Sequence, residues 1–231
     1  KLNKIKNMDA VEHETAYARV KEMDTQLQHC ETTSKEINYI QEKIGMRKTA
    51  FEDLEKTKNL INPFKDLWFL NKDVTDNLEK WEKDIKIFDL VAADVIKSAR
   101  LMEGRSTEIL NRFSDMEEKP KIAIDNVEFI RNKIKAFQHK APLLTALCSK
   151  GMQERHWEEV NQYLEKHKIL MRWEPTSTHK LIDCGDLVPH KEFLTEIADK
   201  SEKEYKNLQL LDSMLTAWDN VEIKLKSWKD T

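Results

Sequence analysis

From Ala16 onward the apolar-leaning positions fall at Ala16, Val20, Met23, Leu27, Cys30, Ser34 and Ile37. The steps alternate between four and three, which keeps one stripe of a helix turned toward a partner. A second stripe runs through Ile37, Ile40, Ile44, Phe51, Leu54 and Ile61, with Arg47 and Lys58 in phase but polar. Thr32-Thr33-Ser34, with Glu36 close behind, offers hydroxyls that can cap the free amides of a new helix. Residues 1–62 therefore predict either one long helix with a phase slip or two helices. Asn62-Pro63 is expected to end this region, because proline disfavours helical geometry in the residue before it.

Phe64-Lys65-Asp66-Leu67-Trp68 reads as a fresh helix start. Leu67, Val74, Trp81, Phe88, Val95, Met102 and Ile109 recur every seven residues, and Leu78, Ile85, Ala92, Ala99 and Phe113 form a second set four positions later. Residues 64–114 are thus one helix of roughly 70 Å at 1.5 Å per residue, or two helices in the same phase. The second reading places a break between Lys83 and Asp89, with Asp89 capping the helix that follows.

Lys119-Pro120 precedes a helix marked by Ala123, Val127, Ile130, Ile134 and Phe137, and Ala141-Pro142 closes or restarts it. Leu143 to Leu147 is a short apolar turn, with Lys150-Gly151 as a helix C-terminus. Trp157, Val160, Tyr163 and Leu164 mark a helix that ends before Pro175. The stretch 176–188 is the least helical part, expected to hold a short extended piece or a tight helix of a few residues. The last helix reads Phe193, Ile197, Tyr205, Leu208, Leu211, Leu215, Trp218, Val221 and Leu225. These elements predict an all-α fold, an elongated bundle of long antiparallel helices.

Composition supports that picture. Charged residues make up 35% of the 231 and hydrophobic ones 39%, with 4 glycines and 5 prolines, too few turn formers for a sheet protein. Net charge is −3 with both signs interspersed, a surface that draws neither nucleic acid nor acidic lipid. No apolar run approaches the roughly 20 residues of a membrane span. Cys30, Cys148 and Cys184 form no C-x-x-C pair or disulfide framework, which favours a reducing compartment. The chain opens at Lys1 and stops at Trp228-Lys229-Asp230-Thr231 without a helix-ending signal, and reads as part of something longer.

Candidate chemistry thins out on inspection. Gly45, Gly104, Gly151 and Gly185 stand alone, so no phosphate-cradling loop is expected. His156 and Glu159 lie three apart on a helix and can share a metal, but Cys148 and His167 would have to join by chance to complete a site. His156 is read instead as a half-buried helix residue with a local hydrogen bond. Cys184 beside Asp183 and His179 resembles a nucleophile cluster but lacks an oxyanion loop. No catalytic, cofactor or metal residue is expected. Trp81, Phe88 and Phe113 read as core, while Trp173 and one of the adjacent pair Trp68-Phe69 are the candidates for an exposed partner contact. Irregularly spaced tryptophans and the lack of a period of 20–50 residues argue against a spectrin-like or coiled-coil scaffold, the alternative reading.

Asn62-Pro63-Phe64-Lys65-Asp66-Leu67-Trp68, followed by Glu79-Lys80-Trp81, resembles the opening of the linker of dynein heavy chains. The block from Ala141-Pro142-Leu143-Leu144 through Gly151 to Arg155-His156-Trp157-Glu158-Glu159-Val160 resembles the Leu-rich turn, small loop and Arg-His-Trp helix of that family. Leu181 to Leu187, Ala198 to Tyr205, Leu208 and Trp218 to Val221 fit as well. Two departures are Ile85-Lys86-Ile87-Phe88-Asp89, which favours a break at that point, and a stop short of the family's later linker helices. The resemblance implies tail or neck helices over residues 1–62 and the N-terminal helical portion of the linker, incomplete at its C-terminus, over 63–231. It implies a mechanical lever that moves with the AAA ring of the same heavy chain, with ATP and Mg bound in that ring and none in this segment. Implied partners are the ring and other dynein subunits through the tail, with the microtubule reached only indirectly. The implied location is the cytoskeleton of a ciliary or flagellar axoneme.

Overall fold

A computed structural model describes residues 5, 7–174, 176–219 and 221. The sequence readings at Pro175, Leu225 and Trp228 to Thr231 lie outside the described residues. The fold is all-α. Among the described residues the α-helices are α1 His13–Lys43, α2 Glu52–Glu79, α3 Ala92–Ser114, α4 Lys121–Gln138, α5 Ala141–Leu147, α6 Glu154–Lys166 and α7 Lys191–Asp219. They fall into two compact units, one of Lys1–Ile85 with Ala93–Ala141, the other of Lys86–Ala92 with Pro142–Thr231.

In the first unit α1 and α2 are antiparallel. The ion pairs Asp24–Lys65 and Glu14–Lys72, at 2.5 and 2.7 Å, and a third between Glu31 and Lys58, descend on one helix as they climb on the other. Gly45 ends α1 with φ +70°, a conformation that glycine adopts at little cost. The Thr49 amide then donates to both Asn38 Oδ1 and Gln41 Oε1 at 2.9 Å, closing the turn into α2. Residues 1–62 thus hold a helix break, but not at Thr32-Thr33-Ser34. Those hydroxyls donate to carbonyls of the preceding turn, Gln28, His29 and Glu31, and α1 runs on through them.

The expected helix end at Asn62-Pro63 is corrected, because α2 continues through Pro63. An interior proline costs a helix about 3 kcal/mol. Here Ile61, Pro63, Phe64, Leu67, Trp68, Leu70 and Val74 are all buried along one face. Each such large apolar side chain contributes about 1.5–3 kcal/mol, so tertiary burial outweighs local propensity. Phe64 meets Phe113 of α3 at 5.0 Å between ring centroids.

Residues 64–114 are two helices. α2 loosens into a π-turn at Lys80–Asp84, and Ile85 and Lys86 turn extended, with ψ 138° and 147°. Asp89 does not cap α3. It closes a 3-10 turn over Ile87–Asp89, and α3 starts only at Ala92. Arg105–Asp73 and Arg112–Asp66 pair α3 antiparallel to α2. The N-terminal segment is sewn on by two buried asparagines. Asn126 accepts from the Ala10 amide at 2.9 Å and donates to the Met8 carbonyl at 2.8 Å, while Asn71 donates to the Ala10 carbonyl at 3.2 Å.

The second unit is built from α5, α6, α7 and the stretch 176–188, which provides both expected features. Lys180 makes an isolated antiparallel bridge to Lys86. Leu181–His190 then forms a 3-10 segment with a kink at Cys184. Ala141-Pro142 restarts a helix rather than only closing one.

Candidate functional site

The Arg155-His156-Trp157 block opens α6, with Arg155 and His156 turned to one carboxylate and Trp157 to an aromatic stack. The Gln153 amide donates to His156 Nδ1 at 3.1 Å, which leaves the ring proton on Nε2. Nε2 donates to Glu204 Oε2 of α7 at 3.1 Å, and Arg155 Nη2 reaches the same oxygen at 2.6 Å. His156 is 2% exposed and Arg155 60%. The buried hydrogen bond therefore matters more, since leaving a buried polar group unpaired costs about 1–3 kcal/mol while an exposed ion pair contributes about 0–1.

Three residues before α6 begins, Gly151 lets α7 come close. A β-carbon there would lie 2.5 Å from the Ser201 carbonyl oxygen and 2.9 Å from the Glu202 amide nitrogen. Ser201 is itself buried, its hydroxyl donating to the Ala198 carbonyl at 2.7 Å. Gly151 and His156 thus fix α7 at adjacent turns, Ser201 and Glu204.

Trp157 faces the other way. It stacks on Trp173 at 6.0 Å and 19°, and Phe88 meets both indoles edge-on at 5.5 and 6.0 Å. Asn161 brackets the Trp173 backbone, accepting from its amide and donating to its carbonyl, both at 2.7 Å. Phe88 arrives on the strap 86–92, whose Ile87 amide donates to the His179 carbonyl at 2.9 Å and whose Ile87 carbonyl accepts from Cys148 Sγ at 3.2 Å. Burial pushes the Cys148 thiol up to about 12.

The two proposed contact tryptophans are corrected as exposed residues. Trp173 is buried in the aromatic stack, and Trp68 is buried in the first unit's core. Phe69, the other member of that pair, packs on Tyr17 at 4.9 Å. Both indole nitrogens, Trp68 Nε1 and Trp173 Nε1, are buried without a hydrogen-bond partner among the described residues. Polar loops flank Trp173 in the sequence, but Asn161 turns its backbone inward.

The residues weighed as a nucleophile cluster are turned to main-chain partners. Cys184 donates to the Lys180 carbonyl at 3.3 Å, Asp183 accepts from the Lys180 amide at 2.9 Å, and His179 donates to the Arg172 carbonyl at 2.9 Å. His156 serves Glu204, Cys148 serves Ile87, and His167 bonds the Tyr163 carbonyl, so these three side chains have protein partners of their own. Sequence reading missed the roles of Glu204, Ser201 and Asn161. Glu204 is one carboxylate among 42 acids and Ser201 one hydroxyl on a helix, so only the fold singles them out. Beyond Ser201, α7 turns Leu208, Leu211, Leu215 and Trp218 to solvent among the described residues.

The chain is all-α, and its distinctive side chains among the described residues fix one helix to the next. The family described as dynein heavy chain, N-terminal region 2, matches residues 54–231, and the chain belongs to it. It is 26% identical over 224 residues to mouse dynein axonemal heavy chain 1, covering 95% of this chain and 5% of that protein. The human counterpart is 25% identical over the same shares. Human dynein axonemal heavy chain 3 is 24% identical over 195 residues, 84% of this chain and 4% of that one. The chain therefore spans about 5% of the length of the curated relatives it matches. No helix among the described residues is long and apolar enough to cross a membrane.

Proposed function

We propose that this chain is the N-terminal portion of a dynein linker, residues 63–231, preceded by the end of the tail over residues 1–62. It acts as a stiff lever that carries conformational change from the AAA ring of its own heavy chain to the tail. ATP and Mg act in that ring, and the microtubule is engaged elsewhere on the heavy chain. Other dynein subunits join through the tail. The axonemal relatives support a place in the axoneme of a cilium or flagellum.

The observation that carries this reading is the double fixation of α7, by backbone contact at Gly151 and by hydrogen bonding at His156. A lever must move as one body. Dense packing with no spare volume makes bending costly, because any shift disturbs many contacts at once. In the full heavy chain, Gly151→Val is the decisive lesion. It is expected to slow microtubule gliding several-fold while basal ATP turnover falls by less than half. Equal loss of both activities, or no change in gliding by a folded variant, contradicts the lever role.

A further inference from the structure

Asn126 of α4 and Asn71 of α2 hold a stretch of main chain rather than side chains. Asn126 Oδ1 accepts from the Ala10 amide at 2.9 Å, and its Nδ2 donates to the Met8 carbonyl at 2.8 Å. One amide side chain thus grips the donor and the acceptor of two residues two positions apart. Asn71 Nδ2 donates to the Ala10 carbonyl at 3.2 Å, and Asn71 Oδ1 accepts from the Thr75 hydroxyl at 3.5 Å. Asn71 and Asn126 are 1% and 5% exposed. The 3-10 turn Ala10–Glu12 lies against α4, which in turn packs on α2.

Such a clamp selects a conformation, because every residue but proline carries the same N–H and C=O. Sequence enters through burial. Ile5, Met8 and Ala10 are buried, while Asn7 and Asp9 are exposed. From Asn7 to Ala10 buried and exposed side chains alternate, as they do along an extended peptide laid on a surface. Grooves that take up peptides work this way, with main-chain bonds supplying affinity and alternate side chains supplying specificity. An emptied groove would leave two buried amide side chains unpaired, so an occupant is favoured. The pairing of α1 with α2 is carried elsewhere, by Asp24–Lys65 and Glu31–Lys58, and survives departure of residues 5–10.

We propose that the groove between α2 and α4 is a peptide-recognition site, filled by residues 5–10 of the same chain as an exchangeable strap. The peptide it fits has an apolar residue at the place of Met8 and a small one at that of Ala10, with no proline there. The strap is joined to α1 and returns after each release. A competing segment of the same chemistry displaces it and frees the chain ahead of His13. This inference does not depend on the lever reading.

The test uses the full 231-residue chain carrying Met8→Asp, which sets a charge in a buried place and so undocks the strap. A fluorescent synthetic peptide of residues 1–12, with its native sequence, should bind this chain saturably by fluorescence anisotropy. Adding Asn126→Ala to the chain should weaken binding tenfold or more. Ala10→Pro in the peptide, which removes the gripped N–H, should do the same. Should the Met8→Asp chain fail to fold, excess peptide added to the unaltered chain should speed hydrogen exchange of the Ala10 amide severalfold, and unchanged exchange overturns the proposal. No saturable binding by a folded Met8→Asp chain, or undiminished binding after Asn126→Ala, also overturns it. An unaltered chain that sediments as a dimer dissolved by Asn126→Ala would seat a second copy's strap in the groove and overturn the assignment in cis.

Discussion

Gly151 and Ser201 lie 50 positions apart and share a contact that only a residue without a side chain permits, with a β-carbon position 2.5 Å from a helix carbonyl oxygen. Gly151→Ala must push α7 outward, a form of overpacking that costs about 1–3 kcal/mol. Chemical denaturation should show that loss, whereas Gly104→Ala, on an open helix face, should be neutral or slightly stabilising.

His156 and Arg155 bond the same oxygen of Glu204 in different environments. His156→Ala should lower stability by about 1–3 kcal/mol, because it removes a buried partner. Arg155→Ala should lower it by less than about 1 kcal/mol, since that pair is solvent-screened. Equilibrium unfolding of the two single variants gives the comparison, and the reverse order would mean the ion pair holds α7.

Asn161 supplies two hydrogen bonds to the main chain of Trp173. Asn161→Ala should cost about 1–3 kcal/mol by leaving those groups unpaired. Tryptophan emission should shift to the red as the Trp157–Trp173 stack loosens. An unchanged spectrum would show that packing alone holds the loop.

Cys30 is exposed, while Cys148 is half-buried and burial pushes its thiol up to about 12. The thiolate is the reactive form. Iodoacetamide at pH 8 followed by peptide mass mapping should label Cys30 within minutes and Cys148 only after unfolding. An ordinary thiol ionises near 9.0, so the neutral folded form is favoured and stability falls as pH rises from 9.0 toward about 12. Cys148→Ala should flatten that part of the pH profile.

Much of the fold was legible from spacing. Of the seven-residue recurrence, Leu67 and Val74 are buried on α2, Trp81 on the π-turn and Val95, Met102 and Ile109 on α3, whereas Phe88, half-buried on the strap 86–92, packs instead on Trp157 and Trp173. The break itself was visible as an alternative near Asp89, although the π-turn at Lys80–Asp84 leaves no signature in residue types. Pro63 misled because local propensity says nothing of the face it buries. Trp173 misled for the converse reason, since its burial depends on Asn161, twelve residues earlier on another element. The Arg155-His156-Trp157 block could be recognised as distinctive. Its partner Glu204 could not, because pairing across two elements is a property of the fold.

Hydrogen exchange on α7 reads the fixation most directly. In the unaltered chain the amides from Leu194 to Glu204 should exchange slowly, at rates matching those of α6. In His156→Ala they should speed up together by tenfold or more, while those of α1 and α2 stay unchanged. Fast exchange of that stretch in the unaltered chain, or no response to His156→Ala, would contradict the view that this block exists to hold α7 in place.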